Sequence, residues 1–154
     1  MLEQCRTHQE LWGGVNRTLD TWFQSRTKLL VEYSALCQRL SEEEFPSLKH
    51  RVRNFCQTMM DYVSAAHFEV YQQLRNESKR YQDDEALLLG KRLYQQLESC
   101  TDVVLAFDER YSKLDDLSSL ARDISKLGLT LEKRFFIEDS MVSVMHEAHR
   151  EQAA

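Results

Sequence analysis

Apolar residues recur at alternating spacings of four and three along most of the chain. One such stripe is Val15, Leu19, Trp22, Arg26, Leu29, Tyr33, Leu36 and Leu40, and another is Leu93, Leu97, Cys100, Val104, Phe107, Tyr111 and Leu114. This alternation is typical of helices that pack lengthwise in a bundle. It predicts long helices near residues 15–40, 46–76, 92–112 and 129–149, with no sustained period of two to indicate a strand.

Helix-breaking residues are few, which favours long helices, since the chain has one proline and four glycines. We expect Gly13 and Gly14 to end a short helix over residues 2–11, and Gly90 to kink or divide a helix that Asp83 or Asp84 caps. Gly128 lies between a predicted short segment at 117–127 and a predicted long helix at 129–149. It is expected to mark either a break or a close approach of two helices. The prediction is an all-α fold, an antiparallel four-helix bundle with additional short helices at one end, in a single domain spanning residues 1–154.

The charge balance narrows the classes of partner. With 20 basic and 25 acidic residues the net charge is −5, so the basic surface of a DNA-binding protein is missing and no direct DNA binding is expected. The longest apolar run, 103–107, is far too short to cross a membrane. The N-terminal stretch carries charges in place of the apolar core of a signal peptide, which predicts a cytoplasmic protein.

Charged residues interrupt two of the apolar stripes. Arg26 and Glu138 each sit at the centre of a stripe, Arg134 lies at the edge of the second stripe, and His67 can reach the bundle interior from its own helix. Because an unpaired buried charge is very unfavourable, we expect Arg26 to face Glu138, or both to join a network with Arg134 and His67. Such a network would fix helix register; a ligand pocket, or Arg26 extending to the bundle end, are the alternatives.

Motifs for chemistry are missing from the sequence. It contains no Glu-x-x-His pair of the kind that binds iron in helical bundles, and no phosphate-binding or nucleophile motif. His146 and His149 are interpreted as exposed cations at a helix end, and Cys37, Cys56 and Cys100 as small buried hydrophobes. We therefore expect no metal, no cofactor and no enzymatic activity.

The helix near 46–76 carries an unusual outward face. On a helical wheel its outer side holds Asp61, Ser64 and Phe68, flanked by Ala65, with Tyr71 extending the patch toward the apolar stripe. Aromatic residues surrounded by polar groups are favoured at protein interfaces. A partner-docking patch is the functional interpretation; the structural alternative is that short helices cover this side and make Phe68 a core residue.

Three segments resemble the regulator of sigma D / AlgQ family of bacterial anti-sigma factors. They are Asp20-Thr-Trp with Arg26, Leu29, Leu30 and Tyr33; Asp61-Tyr-Val-Ser-Ala-Ala-His-Phe; and Leu131-Glu-x-Arg-Phe with Glu138-Asp139. The resemblance implies an all-helical bundle that binds the housekeeping sigma factor, chiefly its DNA-reading region 4. That binding would weaken both recognition of the −35 element and the grip of sigma on core RNA polymerase.

The resemblance also suggests roles for the outward face. Asp61 would contact a basic sigma residue and Phe68 would be the apolar anchor, while Ser64 and Ala65 would permit close approach and Asp20 would be a weaker contact. Two alternatives stay open. One is a general helical adaptor, for example for a phosphocarrier protein; the other is a small-ligand sensor that uses the buried polar residues.

Overall fold

A computed structural model of the chain describes residues 7–41, 45–113 and 115–153. The described part is all-α, as the periodicity predicts. Its elements are α1 (His8–Arg39), α2 (Phe45–Ala65), a π-helical turn (Ala66–Val70), α3 (Tyr71–Arg80), α4 (Asp84–Lys113), α5 (Leu120–Met145), a 3-10 turn (Glu147–His149) and α6 (Arg150–Ala153). Because α2, the π-helical turn and α3 are continuous, they form one rod, and the bundle has four rods.

Contacts between the rods run in opposite directions, so the bundle is antiparallel. Between α1 and α5, Trp12 meets His146, and Tyr33 donates a hydrogen bond to the carbonyl of Ile124. Between α4 and α5, Gly90 lies against Met145, whereas Tyr111, twenty-one residues later, donates a hydrogen bond to Asp123. The predicted antiparallel arrangement of neighbouring helices, which short connections favour, is confirmed.

Local signals explain where the rods begin. Thr7 accepts a hydrogen bond from the backbone nitrogen of Glu10, and Glu10 reaches back to the Thr7 nitrogen, forming a capping box for α1. Asp83 accepts a hydrogen bond from the Ala86 nitrogen at the start of α4, as expected. Ser119 is the residue that precedes α5.

The helix end predicted at Gly13 and Gly14 is wrong, and so are the division given as one alternative at Gly90 and the break given as one alternative at Gly128. Helix α1 continues through Gly13 and Gly14, α4 through Gly90, and α5 through Gly128, so the expected segments at 117–127 and 129–149 are one helix. A glycine inside a helix costs only about 1 kcal/mol relative to alanine, and an apolar stripe on both sides easily exceeds that. Residues 2–6 of the predicted helix at 2–11 lie outside the described residues.

The bundle core is apolar and aromatic. The Trp22 ring stacks on Tyr62 at a centroid distance of 5.1 Å, and Phe55 meets Phe107 edge-on at 6.0 Å. Cys56 and Cys100 are buried as expected, but Cys37 is exposed, because it lies one position beyond the stripe residue Leu36. None of the described helices combines the length and the apolar character needed to cross a membrane.

Gly128 marks a close approach of helices, the second of the two sequence interpretations. A Cβ atom there would lie 2.1 Å from the Tyr33 hydroxyl, whereas at Gly14 the nearest atom is on Arg17, 3.8 Å away. We expect Gly128→Ala to destabilise the protein by about 1–3 kcal/mol through overpacking, and Gly14→Ala to stabilise it by about 0.5–1 kcal/mol through helix propensity. Urea denaturation of both variants checks this; equal shifts of the same sign would contradict it.

Candidate functional site

The outward face of the second rod is open to solvent. Phe68 is 81% exposed, the largest exposure among the large hydrophobic residues described, and Asp61 is exposed two helical turns before it. Ser64 and Ala65 are half-buried between them. Gln57 donates a hydrogen bond to a carboxylate oxygen of Asp61 over 2.9 Å, which leaves the second oxygen of that carboxylate available.

A groove runs along this face where α1 meets the second rod. It encloses about 410 Å³ and is lined from the second rod by Asp61, Ala65, Glu69 and Val70. From α1 it is lined by Gly14, Arg17, Thr18, Thr21, Trp22 and Ser25, so the lining holds two carboxylates and one cation. Glu69 is exposed and adds a second carboxylate that sequence reasoning missed. Asp20 is exposed on α1, outside the described lining of this groove.

The π-helical turn lies at the centre of this surface. It spans Ala66–Val70, with Ala66 and Val70 buried. Such turns contain one residue more than an α-helical turn and are frequent at functional sites. Here the turn presents Phe68 outward, while His67 contacts the bundle interior. Tyr71, expected to extend the docking patch, is instead buried, because the turn directs its ring into the core.

The structure brings together the four charged or polar residues expected inside the bundle. The Arg26 and Arg134 guanidinium groups lie 3.5 Å and 3.3 Å from the Glu138 carboxylate. Arg26 also pairs with Asp139 over 2.6 Å. Arg134, placed at the stripe edge by sequence, is fully buried together with Glu138. Arg134 Nη2 lies 2.9 Å from His67 Nε2.

Two tyrosines that sequence reasoning missed complete this network. Tyr62 accepts a hydrogen bond from Arg26 and donates one to Glu138 over 2.6 Å. Tyr71 links Arg134 to Glu138 in the same way. One signal was available, because Tyr62 follows Met59 by three residues and precedes Ala66 by four, which puts its hydroxyl inside the apolar arc.

The hydrogen bonds fix the charge of the central carboxylate. Burial raises the pKa of Glu138, while the arginines and tyrosines around it act in the opposite direction. Because guanidinium groups only donate, each tyrosine hydroxyl accepts from an arginine and gives its own hydrogen to Glu138. Glu138 therefore accepts as a carboxylate, held between two cations.

His67 is neutral in this arrangement. Burial, assisted by the nearby Arg134 charge, lowers its pKa to about 4. Since Arg134 can only donate, His67 Nε2 is the acceptor and Nδ1 carries the ring hydrogen. With these contacts the polar residues bind one another, and the two tyrosine hydroxyls bridge the arginines to Glu138.

A second buried network ties the C-terminal turn to the second rod. Glu77 is buried, and its two oxygens lie 2.6 Å from His146 Nδ1 and 2.9 Å from His149 Nδ1. The other ring nitrogen of His149 contacts Asp83 over 2.9 Å. The expectation that His146 and His149 are exposed helix-end cations is wrong, because the chain turns after Met145 and packs both rings against Glu77.

Aromatic rings enclose both histidines of this second network. Trp12 stacks on His146 at 4.3 Å and Tyr81 on His149 at 4.6 Å. Burial lowers the pKa of His149, but the hydrogen bonds to Glu77 and Asp83 outweigh it and raise the pKa above its usual value. Among the described residues no cluster of histidine, cysteine and carboxylate side chains has the arrangement of a metal site.

An all-α bundle whose buried charges are paired with one another, and which presents an open acidic and aromatic face, defines a helical binding protein. The family described as regulator of RNA polymerase sigma(70) subunit, Rsd/AlgQ, matches residues 1–146. The chain belongs to this family.

Curated relatives agree along nearly the whole chain. The chain is 31% identical to the regulator of sigma D of Pectobacterium carotovorum subsp. carotovorum (strain PC1), over 96% of this chain and 99% of that protein. It is 30% identical to the regulator of sigma D of Pectobacterium atrosepticum, with the same coverage. The chain is also 31% identical to the regulator of sigma D of Enterobacter sp. (strain 638), over 94% of this chain and 89% of that protein. No solved structure matches the chain significantly.

Proposed function

We propose that the protein is an anti-sigma factor that binds the housekeeping sigma factor, chiefly region 4, through the face formed by Asp61, Ser64, Ala65, Phe68 and the adjacent groove. The family and its relatives, regulators of sigma, support the partner. The observation that carries the assignment to this face is Phe68, an aromatic ring 81% exposed beside a groove with two carboxylates.

Electrostatics favours this partner over a nucleic acid. A sigma region that reads promoter DNA must be basic, because phosphate contacts dominate DNA affinity. Asp61 and Glu69 lie on either side of the close-approach residue Ala65 and outnumber the one cation of the groove lining, Arg17. The whole chain carries a net charge of −5. Opposite charges accelerate association and orient the partner, while a buried aromatic anchor supplies most of the affinity.

Binding of this protein to region 4 of sigma would regulate transcription without any catalysed reaction. A protein bound there blocks the surface that reads the −35 element and reduces the association of sigma with core polymerase. The regulator acts in proportion to its amount, needs no cofactor, and works in the cytoplasm where polymerase is found. Arg26, Arg134, Glu138 and the two tyrosines hold the rods in register beneath the docking face.

Truncating Phe68 tests the proposal. We expect Phe68→Ala to weaken binding to purified housekeeping sigma factor by about 2 kcal/mol or more, which is about 30-fold in Kd. Asp61→Asn should cost about 1 kcal/mol and reduce the salt dependence of the association rate. Calorimetry gives the Kd, and stopped-flow mixing at several salt concentrations gives the rates.

Phe136 on α5 offers a matched control, since it is the same residue type and 74% exposed. Phe136→Ala should leave the Kd unchanged, and all three variants should melt like the parent protein because exposed side chains contribute little stability. Equal losses from Phe68→Ala and Phe136→Ala, or no complex of the parent protein at low salt, would refute the proposed face.

A further inference from the structure

A second concave site lies on the side of the bundle where α3, α4 and α5 meet. The cavity encloses about 440 Å³, within the usual range of small-ligand pockets. Its floor holds Met141, Met145 and Tyr71, all buried, and Tyr94 and Leu87 form apolar walls. The groove beneath Asp61 and Phe68 shares no described lining residue with it.

Cations line this cavity without opposing charge. Arg75 and Lys79, one helical turn apart on α3, and Lys91 on α4 are all exposed lining residues. None of the three forms an ion pair with a described residue, and the described lining contains no carboxylate. Three unpaired cations from two helices around one opening favour an anion.

The floor of the cavity favours a ligand whose remaining part, attached to the anionic group, is flat and apolar. A Cβ atom at Gly90 would lie 2.5 Å from the Met145 sulfur, so the missing side chain lets this thioether close the floor. Thioethers adapt to flat rings and make favourable contacts with them. The Tyr71 and Tyr94 rings meet edge to face at 5.8 Å, and His67 lies against both.

His67 adds one directional group. Its Nε2 accepts from Arg134, so its Nδ1 hydrogen is the ring's remaining donor. Small-molecule sites typically combine apolar walls with a few polar groups of this kind.

We propose that this cavity is a binding site for a small organic anion, a carboxylate or phosphate carried on a flat aromatic or apolar body. The anion is bound by Arg75, Lys79 and Lys91, and the body lies between Tyr94 and the methionine floor. This site goes beyond the proposed sigma binding and does not depend on it.

The probe pair 1-anilinonaphthalene-8-sulfonate and N-phenyl-1-naphthylamine tests the site, because the two molecules share a flat body and differ in the anionic group. Fluorescence titration should show saturable binding of the sulfonate at one site per chain and at least roughly tenfold weaker binding of the neutral amine. The double variant Lys79→Gln with Lys91→Gln should weaken sulfonate binding by roughly tenfold or more. Both lysines are exposed, so folding is retained.

Control variants separate this cavity from other exposed surfaces. Lys28→Gln with Lys133→Gln removes two exposed lysines elsewhere and should leave sulfonate binding unchanged, as should Phe68→Ala and Phe136→Ala. Loss of binding in either phenylalanine variant, or none in the Lys79 and Lys91 variant, overturns the proposal. Non-saturable binding, or equal binding of the neutral amine, also overturns it.

Competition identifies the anionic group. Displacement of the sulfonate by 1-naphthyl phosphate or by 1-naphthoate supports the site and distinguishes phosphate from carboxylate ligands. Displacement by inorganic phosphate at the same concentration would show that the flat body contributes nothing and would overturn that part of the proposal.

Discussion

Replacing Glu138 with alanine is expected to lower the free energy of unfolding by about 3–5 kcal/mol, because it leaves two arginines without their shared partner. Arg134 is fully buried and Arg26 nearly so. Their attraction to Glu138, together with two tyrosine hydrogen bonds, offsets the desolvation of three charged groups. Urea denaturation of the variant and the parent protein at neutral pH measures the difference.

Glu132 provides the control on the same helix, six residues earlier and exposed. Glu132→Ala should change stability by no more than about 0.5 kcal/mol. A buried ion pair can often be replaced by apolar residues of similar size with little loss, so Arg134→Met combined with Glu138→Leu should be more stable than Glu138→Ala alone. If Glu138→Ala costs no more than Glu132→Ala, the network contributes nothing to folding.

Replacing Glu77 with alanine is expected to cost about 3 kcal/mol, because two buried histidine rings lose the carboxylate that accepts from both. Since those histidines belong to the segment after α5, the same change should expose residues 146–153. Hydrogen exchange of that segment should rise in the variant. The exposed Glu98 on α4 is the control, and an unchanged exchange pattern in Glu77→Ala would contradict the role assigned to Glu77.

The cost of Glu77→Ala should depend on pH in a defined direction. The pKa of His149 is raised in the folded protein above its usual value near 6.5. Its protonation therefore contributes stability fully below pH 6.5, and this contribution is lost as pH rises through the folded pKa. The difference between parent and variant should be largest near pH 6 and smaller at pH 9; a difference that grows with pH would be inconsistent with a protonated His149.

The bundle and half of its polar interior follow from periodicity alone. The burial of Arg26 and Glu138 could be predicted because each occupies a position where the spacing of the apolar stripe calls for an apolar residue. Glu77 obeys the same rule, since Val70, Leu74 and Glu77 continue the spacing of four and three. It was missed because the residues after it are polar and look like a solvent-exposed connector.

The remaining errors came from long-range packing. The sequence around His146 and His149 is typical of a frayed helix end. The turn after Met145 brings the two rings to Glu77, which precedes them by 69 and 72 residues, respectively. The helix breaks expected at glycine failed for a related reason, since a helix is held by the surfaces on which it packs as much as by its own residues. At Gly128 the sequence could not show that the missing side chain makes room for Tyr33.

The π-helical turn gives the second rod two independent rotational phases. Residues before the turn follow one α-helical phase, which sets Asp61 outward and Tyr62 inward; residues after it follow another, which sets Tyr71 and Glu77 inward. Removing one residue from the turn would restore α-helical winding and rotate every later residue of the rod by about 100°. The first buried network would then lose Tyr71 and the second would lose Glu77, so the length of this one turn constrains both networks.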